Sequence, residues 1–190
     1  HQWNGQTINW GGKWKTYDYY EAMKEYTGVD LKTANDTDLR AMATKLGLDP
    51  ERHHGRGRVI DLIFKKAVRS HMIQPGFLIN PPLDVEPLAK RMESDPDKVE
   101  RIQIVACGSE LGKGFSELND PSDQRARMEE QLKLREAGDK EAQRLDEDFL
   151  EALEHGMPPT AGFGFSERLF SILVDKPVRE TTYFPLMRPK

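Results

Sequence analysis

Between Tyr17 and His71 the apolar residues recur three and four positions apart, whereas between Phe77 and Leu118 they tend to alternate. The first spacing predicts helices. Tyr19, Met23 and Tyr26 predict one over 17–26, closed by Gly28. A second starts near Asp36 or Thr37, buries Leu39, Met42 and Leu46, and stops at Gly47. A third, over 59–71, carries Ile60, Ile63, Phe64 and Ala67 on one face. Ahead of them Thr7, Ile8, Asn9 and Trp10 alternate loosely, which predicts a strand turning at Gly11-Gly12.

The second spacing predicts strands. Phe77-Leu78-Ile79 reads as a buried strand stopped by Asn80-Pro81-Pro82. Over 101–107, Ile102, Ile104 and Ala106 point one way and Gln103 and Val105 the other. Gly108-Ser109 supplies a turn, and 110–118 returns as the partner strand. Asp120-Pro121 then caps a charged helix that ends at Gly138, and a shorter helix runs from about Asp146 to Gly156. Leu169, Phe170, Ile172 and Leu173 mark a last helix, and the tail 181–186 reads as a final strand. Strands cluster between helices without βαβ alternation, and the central pair is a hairpin. The pattern predicts an α+β fold with an antiparallel β-sheet flanked by helices.

Composition narrows the class. The 190 residues are enough for one domain with a sizeable core. They are 37% hydrophobic and 32% charged, with no apolar run near the ~20 residues of a membrane span. The single Cys107 excludes an internal disulfide framework, so a reducing, cytoplasmic setting is the default. A net charge of −4 makes no global case for nucleic acid; such a contact would need a local basic patch. The chain opens at His1 without an initiator methionine, which suggests the C-terminal part of something longer.

Candidate chemistry lies in two stretches. In Ser109–Pro121, an extended backbone puts Lys113, Phe115 and Glu117 on one face. Glu110 has the opposite parity and joins them only if Gly112 or Gly114 permits a bulge, and Gln103 should lie near it across the turn. Carboxylates in a cleft can hold an ammonium or a magnesium ion; on an edge strand they are simply solvated. In the second stretch, Gly162 and Gly164 form a glycine-rich turn before Ser166-Glu167-Arg168. Glycines admit a flat nucleotide and an arginine can stack on adenine or clamp phosphate; the plainer reading is a helix start with Ser166 as cap.

These words, Phe-Ser-Glu-Leu-Asn-Asp over 115–120 above all, resemble the catalytic domain of class II lysyl-tRNA synthetases. Further matching stretches are His71–Phe77, Pro87–Arg91, Pro158–Ala161, Glu167-Arg168 and Phe184–Pro189. The resemblance implies a lysine–tRNA ligase that uses ATP and Mg2+ to form lysyl-adenylate and passes lysine to tRNA-Lys. It implies that Glu110 binds magnesium and touches ATP, that Phe115, Glu117, Lys113 and Gly164 line the lysine site, and that Arg168 is the catalytic, ATP-binding arginine. Two positions depart from the pattern. Gln103 stands where a second magnesium-binding glutamate is usual, and Lys113 where an asparagine is usual; the glycine turn is also one residue short. The resemblance further implies a homodimer, with the first two motifs and the anticodon-binding domain lying upstream of His1, so that residues 1–190 are the C-terminal portion of a catalytic domain. Two rivals remain open at this stage: a ligase of the elongation factor P type that lysylates a protein, and a binding module that has lost catalysis.

Other residues read more plainly. His53-His54 with Arg52, Arg56 and Arg58 could meet phosphate or be a solvated helix start. His155 suits a helix C-terminus, Cys107 has no base beside it, and Trp3, Trp10 and Trp14 suit packing.

Overall fold

The computed structural model describes residues 1–51 and 54–184. A short hairpin of β1 (Gln2–Trp3) and β2 (Gln6–Thr7) opens the chain. The strand expected over Thr7–Trp10 is thus moved toward the N-terminus. Trp10 packs at 6.2 Å from Trp14, which in turn meets Phe77 at 5.2 Å.

β3 (Lys15–Asp18) takes the first residues of the expected 17–26 helix, and α1 (Tyr19–Thr27) follows. The switch falls at Asp18, whose carboxylate accepts from the backbone N–H of Tyr20 and Glu21, a cap the apolar spacing could not register. α2 (Asp36–Lys45) begins where expected, held by a reciprocal Asn35–Asp38 capping box. α3 (Arg56–Ile63) starts earlier than Val59 and passes into a π turn, Phe64–Val68, then a 3-10 turn, Arg69–His71. Gly57 explains how it fits: a Cβ there would sit 1.8 Å from the Asp84 carbonyl oxygen.

β4 (Gly76–Ile79) follows, then the hairpin β5 (Arg91–Met92) and β6 (Asp95–Val99), which the sequence pattern did not announce. The main hairpin is β7 (Arg101–Ala106) and β8 (Ser109–Ser116). Next come α4 (Pro121–Glu136), capped by Asp120 as expected, α5 (Glu147–Glu154), β9 (Ala161–Phe165), α6 (Arg168–Leu173) and α7 (Val178–Thr181). The stretch read as a glycine-rich turn is therefore a strand. The expected tail strand is absent over 181–184, and its remainder lies outside the described residues.

The main sheet runs β3-β4-β7-β8-β9, with β3 and β4 parallel and every other pair antiparallel. The expected antiparallel sheet is thus mixed at one edge, because α1 to α3 form the crossover between β3 and β4. Those helices and the π turn bury Met23, Leu39, Ile60, Ile63 and Phe64 against Leu78 and Val105 on one face of the sheet. On the other face Ile8 and Ile172 pack with Ala106, Cys107 and Leu111. No helix among the described residues is long and apolar enough to cross a membrane.

Candidate active site

The helices cover the first face only over β3, β4 and part of β7. Over β8 and β9 the same face is open, and the registers decide what it displays. Gln103 lies opposite Lys113, and Lys113 opposite Gly164; Arg101 lies opposite Phe115, and Phe115 opposite Gly162. Directly paired residues share a face, so Gln103, Lys113 and Phe115 project into the open region and β9 contributes only glycines there. Phe163 and Phe165 point to the other side, where Phe163 lies against Gly112 and Gly114. A Cβ on Gly114 would meet the Phe163 ring at 2.5 Å and the Gly162 carbonyl oxygen at 2.7 Å, so the close approach of β9 requires glycine.

Glu110 joins this face through a bulge. Ile104 pairs with Gly112 but Val105 pairs with Glu110, leaving Leu111 as the extra residue of β8. The bulge drops Leu111 into the far core and returns Glu110 to the side of Gln103. The bulge that parity demanded is present, but it falls on Leu111 rather than on Gly112 or Gly114.

Gln103 Nε2 donates to Glu110 Oε2, while Gln103 Oε1 is buried without a hydrogen-bond partner among the described residues. One carboxylate beside an orphaned amide oxygen fits a magnesium ion whose other ligands come from water and phosphate. No group of three His, Cys, Asp or Glu suited to a metal occurs among the described residues. A fully protein-built metal cage is therefore not what this site offers.

Behind them lies Glu86, 8% exposed and missed by the sequence reading. Its Oε2 accepts from Arg101 at 3.1 Å and from Lys113 at 3.0 Å. Only the acidic residues Asp84 and Glu86 in an otherwise apolar, proline-rich run hinted at it. Glu117, beyond the end of β8, has a backbone bridge to Ala89 but no side-chain ion pair among the described residues. Burial raises its pKa, and the nearby Glu86 charge adds to the rise. Gly162 clears its space: a Cβ there would stand 2.8 Å from Glu117 Oε1. Glu110, Lys113, Phe115, Glu117, Gly162 and Gly164 thus line one depression.

Arg168 is not brought into it. It is exposed at the first turn of α6, where Ser166 Oγ accepts from its backbone N–H at 3.3 Å, and lines a separate hollow with Trp3, Ser109 and Asp175. The other minor candidates resolve structurally. Cys107 is buried at a positive φ of 55° with its thiol pKa pushed up to about 11 by burial, so it is no nucleophile. His155 is the C-cap of α5. Arg56 pairs with Asp36 and Asp84 and Arg58 with Glu141, while Arg52 and His53 lie outside the described residues.

Comparison with known proteins gives concordant results. Residues 3–188 match the family model described as tRNA synthetases class II (D, K and N). A lysine–tRNA ligase of Moorella thermoacetica is 45% identical over 191 aligned positions, covering 98% of this chain and 39% of that protein. One from Porphyromonas gingivalis strain W83 is 41% identical over 98% of the chain and 32% of the relative; one from Thermoanaerobacter pseudethanolicus is 43% identical over 98% and 38%. The chain therefore spans between about a third and two fifths of the length of these relatives.

Proposed function

We propose that this chain, which belongs to the class II tRNA synthetases (D, K and N), is the C-terminal part of the catalytic domain of a lysine–tRNA ligase. The observation that carries the reading is Glu117: a half-buried carboxylate on an open sheet face, without a paired cation among the described residues, lining the same depression as Phe115. Such a group gains most from an incoming ammonium, and the ring offers apolar surface to an alkyl chain. That is the chemistry of a lysine side chain.

In this reading lysine's carboxylate attacks the α-phosphate of ATP in line, giving lysyl-adenylate and pyrophosphate, and the terminal ribose of tRNA-Lys then takes the lysyl group. Neither step needs a covalent enzyme intermediate. The residues here bind and orient, and the rate gain comes from positioning and charge neutralisation. Glu117 selects the ammonium. Glu110, with Gln103, would hold Mg2+, which supplies charge neutralisation at the phosphates. Gly162 and Gly164 leave the floor clear for substrate, whereas Arg168 lines a separate hollow beside α6 and is given no role in this depression. The complete enzyme is proposed to act as a cytoplasmic homodimer whose upstream part supplies the anticodon-binding domain.

The test is ATP–pyrophosphate exchange by the full-length protein with each standard amino acid in turn, then charging of tRNA-Lys. Exchange with lysine alone, followed by charging, is expected. Exchange without charging would point to a protein acceptor instead, and no exchange with any amino acid would overturn the reading.

A further inference from the structure

Lys113 brings a positive charge onto a face that, in the reading above, has to receive an ammonium. That charge does not stand alone. Its Nζ donates to Glu86 Oε2 at 3.0 Å, and the same oxygen accepts from Arg101 at 3.1 Å. Glu86 is fixed by backbone on both sides. Its N–H closes the short 3-10 turn Leu83–Val85 by donating to the Leu83 carbonyl at 3.1 Å. Just beyond it the chain is laced to the end of β8: the Leu118 N–H donates to the Leu88 carbonyl and the Lys90 N–H to the Ser116 carbonyl, around the Ala89–Glu117 bridge. The carboxylate is thus delivered to Lys113 by the backbone, with 11% of its side chain exposed.

The charges around the depression then balance in a particular way. Lys113 and Arg101 are positive and Glu86, Glu110 and Glu117 negative, so the free site carries one negative charge in excess. In the adjoining cleft Arg58 pairs with Glu141, Lys65 with Asp61 and Arg56 with Asp84; Asp139 adds a further negative charge and leaves the sign unaltered. One incoming ammonium therefore neutralises the depression. Without the Glu86 charge, two cations would face two carboxylates, and an ammonium would enter against an uncompensated Lys113. Like charges in a half-buried site repel over several ångströms.

We propose that Glu86 is a positioning residue for amino-acid binding: by neutralising Lys113 and holding its ammonium in place, it keeps the depression receptive to the side-chain ammonium of the substrate. The inference rests on the lysine reading above and adds to it a residue that itself touches no substrate. It also gives a physical reason why a lysine can stand at position 113, where an asparagine is usual: the charge it introduces is cancelled from below.

The experiment is lysine-dependent ATP–pyrophosphate exchange by the full-length protein, with the KM for lysine and kcat measured separately. Glu86→Gln removes the charge and keeps the shape. It should raise the lysine KM by about tenfold or more, with a smaller change in kcat. Adding Lys113→Asn removes the stranded cation and should recover most of that loss, which a merely structural role for Glu86 would not allow. Glu86→Gln also leaves the buried Arg101 without its carboxylate, so Glu86→Gln/Arg101→Gln is made in parallel. That pair of changes removes both buried charges and still deprives Lys113 of its acceptor; it should show the same rise in KM and the same recovery by Lys113→Asn. Thermal melting confirms which variants are folded. A lysine KM that stays at the wild-type value in the folded variants, or a rise that Lys113→Asn does not reverse, overturns the inference while the lysine reading stands. Wild-type protein without lysine-dependent exchange overturns that reading itself.

Discussion

Asp123 and Glu117 are close in sequence and opposite in circumstance. Asp123, in the first turn of α4, accepts from Arg127 and from Arg91, whose Nε stands 3.1 Å from its Oδ2. The Arg127 hydrogen bond leads in pulling its pKa down to about 2, against the opposing effect of burial, with Arg91 adding to the fall. Glu117, just past β8, has no such partner among the described residues, and burial with the Glu86 charge pushes its pKa up. The α4 anchor is electrostatically complete in the free chain; the β8 terminus is not. A carboxylate kept half-buried and uncompensated is disfavoured for folding alone, and in the proposed reading it is where the substrate ammonium binds.

The contrast is broken most severely at the anchor. Asp123→Ala leaves Arg127, 7% exposed, with its backbone acceptors but no carboxylate. Loss of one member of such a pair should lower stability by about 3 kcal/mol in urea unfolding, toward the low end for buried pairs because Asp123 keeps contact with water. The pH dependence has a defined sign. A carboxyl whose folded pKa lies below its unfolded value of 3.8 stabilises the fold above that value, and the contribution disappears as pH falls through about 2. The gap between wild type and Asp123→Asn should hold from neutral pH down to about 5 and close between roughly pH 4 and 2. A gap that stays constant across that range would show that the ion pairs are not its source.

The next effect tests the backbone platform rather than the charges. Gly114→Ala places a methyl against the Phe163 ring and the Gly162 carbonyl, both inside contact distance. β9 must shift, and stability should fall by about 1–3 kcal/mol. If the platform matters to the site, lysine affinity in the full-length protein should fall with it. Gly164→Ala is the control, since its Cβ would meet nothing within 4 Å and points into the depression. It should leave stability nearly unchanged and act on ligand binding alone.

How far the sequence discloses these features depends on whether they are local. α2 and α4 carry their own caps, and the β7–β8 hairpin carries its own turn at Cys107-Gly108, so spacing located all three. β3 and β9 are strands only because they have neighbours. Lys15–Asp18 exists by pairing in parallel with β4 across three intervening helices, and Ala161–Phe165 by pairing with β8. Neither partner is near in sequence, so a period-based reading extended a helix over one and saw a turn in the other. The site divides in the same way. Glu110 and Gln103 are brought together by hairpin register and one bulge, which parity anticipated, whereas Glu86 reaches Lys113 only through tertiary packing. Arg168 was named through motif resemblance, and motif order along a chain does not say on which side of a sheet a helix start emerges.

The smallest stability change expected to be measurable is the sharpest test of the comparison, because its sign is unusual. The folded pKa of Glu117 lies above its ordinary value of 4.5, so its ionised form opposes folding at neutral pH. Glu117→Gln removes the charge while keeping the shape, and should stabilise the chain by about 0.5 kcal/mol. The advantage should shrink as pH falls through the raised pKa toward 4.5, because wild type is then protonated as well. The same substitution should abolish lysine-dependent exchange in the full-length protein. Its stability readout is melting temperature against pH for the two chains side by side. A variant less stable than wild type at pH 7 would mean that Glu117 already has a favourable partner in the free protein. It would then be another anchor like Asp123, and the lysine ammonium would have to be sought elsewhere on the open face.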